Sequence, residues 1–306
     1  MPAIPGISSL VTAPDPSQSL LHPSPARGRV LVFDSGAGGL TVAREIADLA
    51  PGLKIDYAAD TGFFPYGDKS DDALRRRLPE AATALVDTAK PDVFVIACNT
   101  ASTLALAEVR AALDIPVVGT VPAIKPAIEM SETKAVGLLA TPGTIGRSYT
   151  DRLISEFAQR ARVIKHGSID LVRMAEASAR GDAQPLADFT EVQAPMFDAR
   201  GGDQIDTVVL ACTHFPLVRD QLAAAAPRPI QYVDSGAAIA RQTIRVLPAA
   251  PRVESTERDH RLFFTSDPRQ EIELCDLFSR FGFGPAQRVA VADDTLGSAT
   301  MSALLR

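Results

Sequence analysis

Two tripeptides in this chain, Cys98-Asn99-Thr100 and Cys212-Thr213-His214, repeat one arrangement: a thiol followed by two polar residues, directly after an apolar, β-branched run. Val93 to Ala97 and Thr207 to Ala211 are runs of the kind a buried parallel strand needs, and helix-forming residues follow each tripeptide. A cysteine at such a junction lies at the carboxyl end of a strand and faces the positive end of the next helix. That position favours thiolate over thiol and makes each cysteine a candidate base. Taken singly, either is as well explained as a small buried hydrophobe. As a pair they fit proton transfer at carbon, because inversion needs a base on one face of the carbon and an acid on the other.

His214, two residues after Cys212, can take a thiol proton as neutral imidazole or stabilise a thiolate as imidazolium. Asp34 can serve Cys98 in the same way from the neighbouring strand end. It opens the loop Asp34-Ser35-Gly36-Ala37-Gly38-Gly39, whose backbone N–H groups could cradle an anion at a helix start. Thr41 stands where the third glycine of a dinucleotide fingerprint belongs, and no Gly-Lys-Thr is present, so a carboxylate-sized anion fits as well as a phosphate. The alternative is a tight turn with Asp34 as helix cap. A serine hydrolase is disfavoured, since no Gly-x-Ser-x-Gly elbow occurs. Cysteine hydrolysis with Cys212 as nucleophile and His214 as base stays open but leaves Cys98 without a role. Cys275, in the helical stretch 270–281, is expected in core packing.

The elements that must position these groups alternate. Strand 29–33, helix 40–50, strand 55–59, a polar and aromatic loop 60–67, helix 71–89, strand 93–97, helix 101–113 and strand 115–119 form a first unit. The chain crosses over near 122–126. A second unit runs through strand 135–140, a turn at 141–144, a helix reaching about residue 160, strand 163–165, helix 171–179, a segment at 187–199, strand 207–211 and helix 216–226. Gln231 to Gly236 then echoes the opening Val32-Phe33-Asp34-Ser35-Gly36, which suggests two halves of similar build. Such alternation predicts an α/β protein of two doubly wound parallel-sheet domains, with ligand in the cleft outside the strands' carboxyl ends.

Composition narrows the function. With 306 residues and 46% hydrophobic content the chain can fill two cores. A net charge of −6 offers no footprint for nucleic acid or anionic membrane, which leaves a small-molecule ligand. Three widely spaced cysteines and no paired Cys or His spacing argue against disulfides and metal and for a reduced, cytoplasmic setting. No apolar run approaches the roughly 20 residues of a membrane span. Residues 1–27 hold six prolines among small residues and are expected to form a loose tail.

Together the motifs resemble the glutamate racemase family of the aspartate/glutamate racemase superfamily. The resemblance rests on residues 33–42, Asp60-Thr61 through Pro65 to Ser70, Ala97 to Ala101, Thr141 to Thr144 and Cys212-Thr213-His214, in the expected order. It implies Cys98 and Cys212 as the catalytic acid/base pair, Asp34 and His214 as their respective partners, and Glu176 as a further carboxylate, although nothing local singles Glu176 out. It implies substrate contacts from Asp34, Ser35, Tyr66, Gly67, Asn99, Thr100, Thr144, Thr213 and His214, with Thr144 ahead of Thr141. It also implies interconversion of L- and D-glutamate with no cofactor and no metal, feeding bacterial peptidoglycan synthesis. The domains would be 28–121 with 236–306, and 122–235, and a homodimer is compatible with the chain. Residues 166–170 lack the cysteine-proline pair common in the family before Glu176. Related enzymes acting on aspartate, a hydantoin or a malonate, and a non-catalytic binder of the same fold, are the alternatives.

Overall fold

A computed structural model describes residues 28–158, 161–249 and 260–291; the expected tail at 1–27 lies outside the described residues. The first strands and helices alternate as β1 (Arg29–Asp34), α1 (Leu40–Leu49), β2 (Lys54–Ala59), α2 (Asp71–Ala89), β3 (Val93–Ile96), α3 (Asn99–Ala112) and β4 (Val117–Gly119). After α4 (Ile124–Met130) come β5 (Ala135–Ala140), α5 (Pro142–Ile145), α6 (Ser148–Phe157), β6 (Arg162–Gly167), α7 (Asp170–Arg180), α8 (Leu186–Asp198), β7 (Thr207–Ala211), α9 (Arg219–Ala225) and β8 (Gln231–Val233). The chain then returns through α10 (Gly236–Val246), β9 (His260–Phe264), α11 (Ile272–Arg280) and β10 (Phe283–Arg288).

The strands form two parallel sheets, ordered β10-β9-β2-β1-β3-β4 and β6-β5-β7-β8. Sheets covered on both faces need strands apolar on both faces, and all six residues of β1 are buried. The pleat divides them. Val30 and Val32 join Leu40, Ala43 and Ile46 of α1 on one side, while Leu31 and Phe33 join Leu74, Leu78 and Ala81 of α2 on the other. The second sheet is divided the same way: Leu139, Val208 and Leu210 pack toward Leu171 and Phe189, and Val136, Leu138 and Val209 toward Ile124 and Ala127. Among the described residues, no helix is long and apolar enough to cross a membrane.

The observed helices depart from the expected ones at the functional turns. The helix after Cys98 starts two residues early, at Asn99, and breaks geometry at Ala105 (φ −132°, ψ 17°). The helix expected to run on to about residue 160 is interrupted at Gly146 and Arg147, where Arg147 is extended (φ −87°, ψ 139°). The helix expected at 216–226 opens as a 3₁₀ turn, Phe215–Val218, before α9. Asp34 is not a helix cap. Gly39 occupies the cap position of α1, and Asp34 Oδ1 instead accepts the Gly36 N–H at 3.1 Å.

The echo between 32–36 and 232–236 is local. Asp234 Oδ1 accepts the Gly236 N–H at 2.8 Å, the same turn as at Asp34, but it follows the edge strand β8. The strand that corresponds to β1 in the second sheet is β5, since β2-β1-β3-β4 and β6-β5-β7-β8 follow one order.

Candidate active site

Both sheets reverse strand order between their first and third strands, β1/β3 and β5/β7. At such a switch point the flanking connections leave in opposite directions and open a crevice beyond the carboxyl ends. Cys98 follows β3 and Cys212 follows β7, so each unit offers a thiol there. The turns after β1 and β5 supply Asp34 to Gly39 and Thr141 to Thr144.

The turns of the two units meet. Thr213 Oγ1 donates to Asp34 Oδ2 at 2.8 Å, and the Ala37 N–H donates to Glu176 Oε2 at 3.0 Å. The anion held by the glycine-rich loop is thus a side chain of the protein itself. Glu176 Oε2 also lies 2.8 Å from His214 Nε2, and His214 Nδ1 is 3.9 Å from Cys212 Sγ, so thiol, imidazole and carboxylate stand in line. Thr100 Oγ1 is 3.0 Å from Thr141 Oγ1 and 3.4 Å from Thr144 Oγ1. Cys98 and Cys212 are only 6% and 7% exposed, so both thiols are buried.

Burial and charge compete at four groups along the seam. Burial pushes the Cys98 thiol up, and the Asp34 carboxylate adds to the rise, against the expectation that a helix start would favour thiolate there. The backbone N–H groups at Thr100 and Ala101 do act as that expectation held, but burial outweighs them. For His214 burial works downward, yet the contacts to Cys212 and Glu176 prevail and hold the imidazole well above its ordinary value. Burial would raise Glu176, and its bonds to His214 and Ala37 overcome this and lower it. Asp34 is raised by burial in spite of His214, Gly36 and Thr213.

The remaining expected residues are near the seam, with differing commitments. Ser35 Oγ lies 3.4 Å from Asp34 Oδ1, and Asn99 Oδ1 is buried without a hydrogen-bond partner among the described residues. The Tyr66 hydroxyl is spent on Asp60, to which it donates at 2.6 Å. Gly67 makes a close approach, since a Cβ there would sit 2.9 Å from Ile169 and 3.1 Å from Thr141. Asp34 makes no hydrogen bond to Cys98 among the described contacts; its influence is through charge. Cys275, half-buried at the margin of the α1-side core, stands apart.

Sequence reading missed several groups. Arg77 and Asp60 form an ion pair at 2.7 Å with side chains 1% and 0% exposed, and Thr265 also donates to Asp60 at 2.6 Å. The signal was available: Arg77 shares the buried stripe of α2 with Leu74, Leu78 and Ala81, and an arginine on such a stripe requires an acceptor. Arg180 supports Glu176 at 3.4 Å and reaches Glu271 of the returning segment at 3.6 Å. Arg147 crosses the seam, and no local pattern announced it.

Two parallel α/β units sharing a four-strand order, each with a cysteine directly after its third strand, meet at one seam. The profile of the family described as Asp/Glu/Hydantoin racemase matches residues 40–243. The glutamate racemase of Salmonella typhi is 44% identical over 270 residues, covering 88% of this chain and 94% of that one. That of Escherichia coli O81 is 43% identical over 272 residues, with 89% and 94% covered. The structure of Escherichia coli glutamate racemase, in complex with L-glutamate and the activator UDP-MurNAc-ala, superposes with a TM-score of 0.82 at 41% identity, covering 87% of this chain and 99% of that one. Glutamate racemase isoform RacE1 from Bacillus anthracis gives 0.70 at 26% identity, covering 85% and 96%. The chain belongs to the Asp/Glu/hydantoin racemase family and is an amino-acid racemase by class.

Proposed function

We infer that this chain interconverts L- and D-glutamate without a cofactor, using Cys98 and Cys212 on opposite faces of the α-carbon. The observation that carries the reading is the equivalent placement of the two cysteines at matching switch points, joined to 44% identity with glutamate racemases over most of the chain. The thiolate of one cysteine takes the α-proton, breaking the C–H bond, and the thiol of the other delivers its proton to the opposite face. One proton enters sulphur and one leaves, so the pair ends with its ionisation exchanged. Cys212 stands 3.9 Å from the His214 imidazole that Glu176 holds, while burial, with the Asp34 carboxylate adding to it, favours the thiol form of Cys98.

The α-proton of an amino acid is very weakly acidic, so the site must favour the carbanionic transition state over bound substrate. Ser35, Thr100, Thr144 and the backbone at Thr213 and Tyr66-Gly67 are the donors we assign to the carboxylates, and Asn99 Oδ1, buried without a partner among the described residues, is the acceptor we assign to the ammonium. The units are taken as 28–121 with 236–306, and 122–235. The product D-glutamate would feed peptidoglycan synthesis in a bacterial cytoplasm, where thiols stay reduced. A racemisation assay on purified protein with a panel of amino acids and no added cofactor tests the reading. Conversion of both glutamate enantiomers with little on aspartate is expected; comparable rates on aspartate would overturn the choice of substrate.

A further inference from the structure

The first turn of α3 carries Asn99, Thr100, Ala101, Ser102 and Thr103, small and polar residues that hold a helix weakly on their own. The geometry break at Ala105 sets this turn off from the rest of the helix. Its inner side is pinned by its own unit: Ser102 Oγ donates to the Ile96 carbonyl at 3.1 Å and accepts the Thr120 N–H at 2.9 Å. Its outer side is pinned by the other unit. Arg147, in the extended break between α5 and α6, sends a guanidinium across the seam. Nη1 donates to the Thr100 carbonyl at 2.9 Å and to Thr103 Oγ1 at 3.0 Å, and Nη2 donates to Asp71 Oδ1 at the start of α2 at 2.8 Å. The side chain is 9% exposed although its carboxylate partner is 58% exposed.

One guanidinium therefore joins the start of α2, the turn after Cys98 and the second unit. A planar fork with several donors can hold three acceptors at once; an ammonium is a point charge on a flexible stem and cannot hold the same set. Thr100 Oγ1 also meets Thr141 Oγ1 and Thr144 Oγ1 of the second unit, so the turn after Cys98 is tied to that unit through its side chain as well as its carbonyl.

We propose that Arg147 is a cross-seam positioning residue, which fixes the Cys98-Asn99-Thr100 turn against the second unit and so sets both the spacing of the two thiols and their accessibility. The part concerning catalysis rests on the reading of Cys98 and Cys212 as the acid/base pair. The part concerning accessibility does not.

The test uses full-length Arg147→Gln, Arg147→Lys and Asp71→Asn proteins. The alkylation rate of each cysteine by iodoacetamide is followed by mass spectrometry, beside racemisation kinetics in both directions. In Arg147→Gln, alkylation of Cys98 and Cys212 should rise roughly tenfold or more while Cys275 stays at its wild-type rate. kcat/KM for glutamate should fall roughly 10- to 100-fold, as expected when reacting groups are misplaced by about an ångström. Arg147→Lys should recover part of both effects, and Asp71→Asn, which keeps the bonds to Thr100 and Thr103, should shift both in the same direction by less. Equal acceleration at all three cysteines would mean general loosening and would overturn the proposal, as would unchanged rates in all three variants. Should Arg147→Gln fail to fold, Arg147→Lys and Asp71→Asn decide by the same two readouts. Should wild-type protein fail to racemise glutamate, the proposed function falls, and alkylation still decides the role of Arg147.

Discussion

The two cysteines occupy matching places in the two units, and the sharpest predictions follow from that pairing. Replacing either with Ser leaves one working base opposite a poor acid, so racemisation should fall by orders of magnitude. In deuterated water each variant should still exchange the α-proton of one enantiomer with retention, and the preferred enantiomer should be opposite for the two; NMR of the recovered substrate reads this directly. If both exchanged the same enantiomer, the two-thiol mechanism would be wrong. His214 allows a separate check through stability. Its folded pKa is raised, so its contribution is full below about pH 6.5 and is lost as pH rises from there through the folded value. The contribution of Glu176, whose pKa is lowered, is full above about pH 4.3 and is lost as pH falls. The Tm difference between wild type and His214→Asn should therefore be largest between those limits and shrink toward alkaline pH. A difference that does not change with pH would remove the His214-Glu176 pair as its source. Cys98, Cys212, Asp34 and His214 were legible as candidates because their spacing from strand ends is local. Glu176 was not, since its partners His214 and Ala37 are 38 and 139 residues away in sequence. The upward push on the Cys98 thiol was illegible too, because it depends on depth of burial.

At the scale of elements, the β1–α1 turn is constrained by space. A Cβ on Gly38 would lie 2.5 Å from His214 Nδ1 and 2.7 Å from Thr213 Oγ1. Gly38→Ala should therefore displace His214 and cut kcat by roughly 10- to 100-fold while leaving the fold intact; wild-type turnover would show that the turn can yield. The α2 element makes a different prediction. Arg77→Met leaves Asp60 buried and unpaired beside Tyr66 and Thr265, which should cost about 3–5 kcal/mol in urea unfolding. A loss below ~1 kcal/mol would mean that the bonds from Tyr66 and Thr265 suffice to hold Asp60 without the guanidinium. The strands β1 to β3, β5 and β7 were legible from apolar runs, and α2 was expected over the span it occupies, 71–89. The interruption at Arg147 was not, because its side-chain partners Asp71, Thr100 and Thr103 lie far away in sequence, and neither was the break at Ala105. β9 and β10 were missed as well: β9 opens on His260-Arg261, and β10 contains Gly284 and Pro285, signals that mark turns unless the strand lies at an edge.

Over the whole molecule, the order of synthesis differs from the order of assembly. β2 finds its outer neighbour only in β9, more than 200 residues later, whereas every strand of the second sheet lies between residues 135 and 233. On the ribosome the middle of the chain can therefore close its sheet while the β2 edge still waits, with backbone groups unpaired, for the last part to emerge. The seam inherits that delay, since Arg180 meets Glu271 only after the return. A nascent chain arrested near residue 250 should yield a protease-resistant core from the middle of the sequence and cleavable flanks. Full-length chains should protect both together. A truncated copy of this protein is in that sense half-built at its beginning, and the cell's holding chaperones would meet the β2 edge before any substrate meets the thiols.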